Sequence, residues 1–356
     1  MGAVSRSCIG VDFMTTARDY DVFEAGDVTL QSGAVFPRLR LAYKTYGTLN
    51  AARDNVILYP TSFSAQHTDI EWLVQPGGAL DPSRYFIIIA NLFGNGLSSS
   101  PSNSTDVLGN APFPAFSYYD AVAVQRRLLI EQFGVSKLAL VYGWSMGGMQ
   151  AYHWAARYPG MVERAAVVCG SARCSPYNHV FLEGVKTALT ADPAYQDGRF
   201  VTKPVAGLRA MGRVYAGWAM SHEFYRDEVW REAGFTSLEH YLAGSWDGAF
   251  ARRDANDLLA QIAIWQSGDV SHCDEFGGDV DRALAAIRAH MLLMPCRTDR
   301  YFDMRDNADE LPRLVNARSA ALRAIPSIHG HRAGNPINNA ADRAFINAEI
   351  SALLQR

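Results

Sequence analysis

The chain has 356 residues, 49% of them hydrophobic, and a formal net charge of only −3. That is enough apolar material for one large core with an embedded subdomain. The charge balance excludes the strong fields that draw nucleic acid or anionic lipid, so small-molecule chemistry is the class left.

In chain order, Tyr20 to Leu30 and Arg38 to Tyr46 alternate apolar and polar residues about the turn Gln31-Ser32-Gly33, which predicts an antiparallel pair at a sheet edge. Asn55 to Tyr59 and Arg84 to Ala90 read as short buried strands. Each runs into a loop of small polar residues, Pro60 to His67 and Asn91 to Ser98 respectively. Tyr118 to Phe133 has apolar residues at helical spacing and Gly134 as its stop. Strand Leu138 to Tyr142, helix Met149 to Tyr158 and strand Ala165 to Cys169 then complete a βαβ series, so a parallel sheet with helices on both faces is expected.

Beyond Cys169 the pattern changes. Between about Ser175 and Ala289 only helical segments stand out: Val180 to Leu189, Val205 to Met220, Glu223 to Glu232, Leu238 to Leu242 and Ala251 to Trp265. Strand His290 to Pro295 and helix Met304 to Leu314 resume the alternation. The division expected is a core of residues 1–174 and 290–356, with 175–289 as a helical lid over the carboxyl ends of the strands, where pockets of open α/β sheets form.

Five cysteines, Cys8, Cys169, Cys174, Cys273 and Cys296, are odd in number and lack C-x-x-C or Cys/His ligand spacing, which argues against a disulfide framework and a zinc site. Met1-Gly2-Ala3-Val4-Ser5-Arg6-Ser7-Cys8 contains no apolar leader, and Arg6 stands where N-myristoylation needs Ser or Thr. No apolar run is long enough for a bilayer, and a cytoplasmic protein is expected. Nor is there a phosphate-cradling loop or nucleotide fingerprint, so neither cofactor nor metal is expected.

The chemistry is concentrated in Leu138-Ala139-Leu140-Val141-Tyr142-Gly143-Trp144-Ser145-Met146-Gly147-Gly148, an apolar strand ending in G-x-S-x-G and opening a helix. This is the context of a nucleophile elbow, whose glycines allow a turn too tight for side chains. A serine nucleophile needs a histidine base, and the base needs an orienting carboxylate; around such an elbow they follow in the order Ser, Asp/Glu, His. Asp299, directly after the resumed strand, is the candidate acid, although Asp is also a common helix cap. Asp303, Asp306 and Asp309 read as the acidic first turn of the next helix. Two histidines compete for the base, His329 and His331. Gly330 gives His331 the closer backbone approach and favours it.

Gly143-Trp144-Ser145-Met146-Gly147-Gly148-Met149-Gln150, followed by Tyr158-Pro159-Gly160-Met161-Val162, resembles the homoserine O-acetyltransferase family of α/β-hydrolase-fold enzymes, whose pattern is G-x-S-x-G-G-M-Q and then Y-P-x-x-V. The likeness extends to Gly78 through Phe86 and to Gly330-His331, and so covers nearly the whole chain. It implies an α/β-hydrolase fold, an acyl-enzyme on Ser145, a helical lid and a homodimer built through lid helices. Thr61-Ser62-Phe63-Ser64-Ala65 stands where the family's oxyanion loop reads H-A-L-T-G, which makes the backbone N–H groups of Phe63 and Met146 the expected oxyanion donors.

Departures from the family pattern bear on the acyl acceptor. The homoserine enzymes carry G-H-D-x-F-L and a lid motif G-L-x-x-A-R, then Y-R-S. Here His331 is followed by Arg332-Ala333-Gly334, and the lid reads Gly207-Leu208-Arg209-Ala210-Met211-Gly212-Arg213 and then Tyr215-Ala216-Gly217-Trp218. This is closer to the family's esterase-like branch, in which water accepts the acyl group. A serine carboxylic-ester hydrolase for short, acetate-type esters is therefore expected; the alternative is an O-acyltransferase taking acetyl-CoA or another acyl-CoA as co-substrate. Arg209, Arg213, Arg332 and Trp144 are candidate substrate contacts, with lid or surface ion pairing the competing role for the arginines.

Overall fold

The computed structural model describes residues 18–109 and 111–356. Cys8 and the Met1–Cys8 segment read above lie outside them. One eight-stranded sheet runs through the molecule in the order β1-β2-β4-β3-β5-β6-β9-β10. Its strands are β1 Asp21–Thr29, β2 Val35–Tyr46, β3 Val56–Pro60, β4 Phe86–Ala90, β5 Leu140–Trp144, β6 Arg164–Val168, β9 His290–Met294 and β10 Ser319–Leu322, while Tyr195–Gln196 (β7) and Arg199–Phe200 (β8) form a separate small hairpin.

Chemistry of the side chains dictates this layout. Every residue of β3, β4 and β5 is buried, as continuous apolar runs must be in parallel strands covered on both faces. β1 and β2 alternate instead and pair antiparallel at the edge. β2 begins at Val35 rather than near Arg38: Arg38 takes a φ of 48° and the register slips around Gly26, so a bulge interrupts the alternation without ending the strand. The helix after Ser117 is α-helical over Tyr118–Arg127, and a π-helical turn, Leu128–Gln132, carries it to Gly134.

Residues between β6 and β9 add no strand to the main sheet. This insertion is built on helices Pro176–Thr190, Val205–Ala219 and Ala255–Gln266. Two of the expected helices are shorter than their periodicity suggests. Glu228, at a φ of 52°, ends helix His222–Arg226, and Asp254 caps a new start at Ala255, accepting from the Asn256 and Asp257 N–H groups. No helix among the described residues is long and apolar enough to cross a membrane.

The insertion is pinned to the core by a buried carboxylate. Asp257 is 5% exposed and accepts from the Ser102 N–H at 2.9 Å and the Ser102 hydroxyl at 2.6 Å. Burial outweighs those bonds and pushes its carboxyl up to about 6. A folded-state value raised above the unfolded one means that the native state holds the proton more tightly, so this contribution to stability declines as pH rises from about 4 to about 6. Asp257→Asn keeps an acceptor for the Ser102 N–H and cannot ionise. The stability of the native chain relative to this variant should therefore fall by roughly 2 kcal/mol across that window, read from urea denaturation at both ends. A constant difference between the two proteins would show that Asp257 titrates normally.

Candidate active site

Ser145 sits at the end of β5 with φ 58° and ψ −125°, and the helix Met146–Arg157 starts immediately behind it. A β-carbon on Gly143 would lie 1.9 Å from the Gly147 carbonyl oxygen, and one on Gly147 would lie 2.7 Å from that of Pro60. Glycine at both positions is therefore a steric requirement of the turn. The Ser145 N–H donates to the Val168 carbonyl at 2.8 Å, tying the strained residue to the neighbouring strand.

Asp299 lies in the loop after β9, and His331 lies in a 3₁₀ turn, Gly330–Gly334. Their bond, His331 Nδ1 to Asp299 Oδ2, is 2.6 Å long and buried. Asp299 Oδ1 accepts from the N–H groups of Tyr301 (3.2 Å) and Phe302 (3.1 Å), which fixes the carboxylate plane. His331 Nε2 is buried and has no partner among the described residues, leaving it free to take a proton. Gly330, at φ 59°, packs so near the insertion that a β-carbon would lie 2.5 Å from the Ala219 carbonyl oxygen. His329 packs edge-on against Phe224 and its backbone is held by Ser327, so of the two histidines it is His331 that meets the acid. Asp303 caps the next helix and pairs with Arg305, and Asp306 lies in that helix's first turn.

The imidazole is clasped by aromatic rings: Tyr301 at 4.4 Å, Trp144 at 5.2 Å and Phe302 at 5.4 Å between centroids. Trp144 also donates from Nε1 to the His331 carbonyl at 3.3 Å. Period-2 alternation turns Trp144, a candidate substrate contact, to the face shared with Leu140 and Tyr142, beneath the histidine loop. Tyr215 of the insertion stacks on Phe63 at 6.0 Å and meets the Tyr301 hydroxyl at 3.4 Å. Burial pushes the Tyr215 and Tyr301 phenols up, as a dry, apolar enclosure should.

Among the described residues neither the Phe63 N–H nor the Met146 N–H meets a protein acceptor. Their loop is well anchored. Ser62 donates from its hydroxyl to the Trp144 carbonyl, and Gln150 Nε2 donates to the Thr61 carbonyl at 3.0 Å while receiving a bond from Gln125 at 2.8 Å. Gln150 and Ser62 were not singled out as functional from sequence. Gln150 was nonetheless visible as the last letter of the G-x-S-x-G-G-M-Q pattern.

The arginines fare differently. Arg213 is held by Asp247 (2.8 Å) and Glu239 (2.6 Å), so of its two expected roles the structure shows the ion pair within the insertion. Arg209 is exposed on the same helix. Arg332 is exposed as well, close enough to Tyr215 and Tyr241 for its charge to favour their phenolates.

Cys169, Asp299 and His331 form one compact group, their ligand atoms within 4.8 Å of one another. They do not suit a metal. Asp299 is already bonded through both oxygens, and burial pushes the Cys169 thiol up, away from the thiolate a metal requires. The four described cysteines, Cys169, Cys174, Cys273 and Cys296, are all free.

Comparison with known proteins places this geometry. The family model for the alpha/beta hydrolase fold matches residues 71–225. The chain is 39% identical over 315 residues to an ethyl acetate hydrolase of Pseudomonas veronii, covering 88% of this chain and 89% of that protein. It is 33% identical over 336 residues to a homoserine O-succinyltransferase of Methylibium petroleiphilum, covering 85% and 86%. The solved structure of an acetylester hydrolase from Corynebacterium glutamicum superposes with a TM-score of 0.88 at 34% identity, over 95% of this chain and 96% of that one. On this kinship and fold, the chain belongs to the α/β-hydrolase family, in the esterase-like branch of the homoserine acyltransferases.

Proposed function

We propose that the chain is a serine carboxylic-ester hydrolase for short-chain, acetate-type esters of small molecules. The observation that carries this reading is the buried 2.6 Å His331–Asp299 bond, which leaves His331 Nε2 without a partner among the described residues, in a chain whose Ser145 stands on a strand-to-helix elbow. Ser145 Oγ attacks the ester carbonyl and passes its proton to His331 Nε2, while Asp299 holds the imidazole and stabilises its positive charge. The Phe63 and Met146 N–H groups receive the oxyanion. Collapse breaks the ester C–O bond, and His331 returns the proton to the departing alcohol. Water, deprotonated by His331, then adds to the acyl-enzyme, releasing the acid and regenerating Ser145.

The insertion, residues 175–289, acts as a lid whose Tyr215 packs on Phe63 and Tyr301 beside the triad. That two of the compared proteins are named as acetyl- or ethyl acetate-hydrolysing supports the short chain. The second reading is acyl transfer from an acyl-CoA, which kinship to homoserine O-succinyltransferases favours. Against it, Arg213, one cation available to an acceptor's carboxylate, is neutralised by Asp247 and Glu239. A homodimer through lid helices and a cytoplasmic location complete the proposal.

Purified protein should hydrolyse a 4-nitrophenyl ester faster with an acetyl than with an octanoyl group. It should release no thiol from acetyl-CoA in a homoserine-dependent manner. Thiol release that requires homoserine would establish the transferase instead.

A further inference from the structure

The loop that offers the Phe63 N–H is held from two different bodies. Its first half belongs to the core, where Gln150 holds the Thr61 carbonyl and Ser62 binds the Trp144 carbonyl. Its second half is held by the insertion. The Ser64 N–H donates to Gln261 Oε1 at 2.7 Å, and the Ser64 carbonyl accepts from Arg253 Nε at 2.7 Å. Both polar groups of one residue's backbone are thus taken by lid side chains.

Ser64 needs such a clamp, because it sits at φ 57°, a left-handed conformation that a non-glycine residue adopts only against a steric cost. The clamp is itself rigid. Gln261 is fully buried and donates from Nε2 to the Phe93 carbonyl at 3.4 Å, which orients its amide with the oxygen toward Ser64. Arg253 is anchored by Asp69 at 2.6 Å, and Asp69 in turn accepts from the Gln66 N–H at 2.8 Å. Phe63 lies between the two halves, its ring stacked on Tyr215 of the lid.

We propose that Gln261 and Arg253 are positioning residues for the oxyanion hole, so that docking of the lid and assembly of the hole are one event. The Ser64 N–H shares a peptide plane with the Phe63 carbonyl. With the Thr61–Ser62 side held from the core and the Phe63–Ser64 plane held from the lid, the peptide between them, which carries the Phe63 N–H, is fixed in direction. A lid lifted from the core leaves Ser64 without partners, and its strained conformation relaxes. Only the closed enzyme then stabilises the tetrahedral intermediate. This inference rests on the acyl-enzyme reading of Ser145 but not on which molecule accepts the acyl group.

The test measures the rate at which a fluorophosphonate inactivates the enzyme, since its P=O oxygen occupies the oxyanion site whatever the natural substrate. Gln261→Leu removes the acceptor for the Ser64 N–H and should slow inactivation about 10- to 100-fold, the range a displaced catalytic group produces. With an aryl acetate the same factor should appear in kcat, with KM changed by less than about threefold. Gln261→Glu, whose carboxyl still accepts from Ser64, should restore most of the rate. Arg253→Lys, which retains a charge for Asp69 but loses the planar Nε donor, should be slowed in the same sense and serves alone if Gln261→Leu does not fold. Inactivation within about twofold of the unmodified enzyme in Gln261→Leu or, if that variant does not fold, in Arg253→Lys overturns the proposal, as does a loss that Gln261→Glu shares in full. Labelled protein that hydrolyses no ester would instead count against the esterase reading and leave this comparison readable.

Discussion

Ser145→Ala is expected to lower kcat for a short-chain aryl ester by about 10⁶-fold, the loss seen when the nucleophile of a serine triad is removed, and to abolish fluorophosphonate labelling. The fold should survive. The elbow is held through backbone groups, the Ser145 N–H to the Val168 carbonyl at 2.8 Å and the Met149 N–H to the Ser145 carbonyl at 3.0 Å, and alanine keeps both. What disappears is the oxygen that forms the acyl bond, while the two N–H donors remain to polarise a carbonyl for direct attack by water. A residual rate well above the uncatalysed one is therefore part of the expectation. Equal rates for the two proteins, with equal thermal unfolding, would remove Ser145 from the chemistry altogether.

Much local physics converges on Ser145. The strand is apolar because it is buried on both faces, and Gly143 and Gly147 are required because a β-carbon at either would strike a backbone carbonyl. Asp299 and His331 were legible for related reasons: one follows a buried strand, and the other follows a glycine at positive φ. The clamp on Ser64 left no such trace. Gln261 and Arg253 lie 197 and 189 residues further along the chain, and a side chain that bonds a distant backbone needs no periodic neighbours. The packing of Trp144 is subtler, since adjacency to the nucleophile suggests contact with substrate, whereas what the structure shows is its ring turned beneath His331.

Among the elements that escape a pattern-based reading, such as the Tyr195–Gln196 and Arg199–Phe200 hairpin in a stretch expected to be helical, two bear on the core and the site. β10 is a partly exposed edge of Ser319-Ala320-Ala321-Leu322, with none of the β-branched or aromatic residues that mark a strand. The closing helix, Ala340–Leu354, buries Ile346, Ile350 and Leu353 at helical spacing and is capped by Asn339. Its apolar stripe is narrow and interrupted by Asp342, itself buried and bonded to Ser327 at 2.6 Å. That bond anchors the chain just before the His331 turn. The helix thus serves the site by steadying the loop that carries the base, a role visible only once the two are packed together.

Asp299→Asn should lower kcat by about 10⁴-fold near neutral pH, as tautomer reversal does in serine triads, while leaving the fold intact. The reason lies in the other oxygen of the carboxylate. Oδ1 accepts from the Tyr301 and Phe302 N–H groups at 3.2 and 3.1 Å, so an amide at this position must place its own oxygen there. Its NH₂ group then faces His331 Nδ1 at the site of the present 2.6 Å bond. A donor opposite Nδ1 requires that nitrogen to be the unprotonated one, which moves the ring proton to Nε2. The nitrogen that must receive the Ser145 proton is then already occupied. Substrate binding is untouched, so the loss should appear in kcat with KM nearly constant, and the thermal midpoint should shift little because every backbone donor keeps an acceptor. Asp299→Ala makes the contrast. It abandons two buried N–H groups, each costing about 1–3 kcal/mol, and should lose stability as well as rate. An asparagine variant with activity close to that of the unmodified enzyme would show that His331 does not depend on Asp299 for its tautomer.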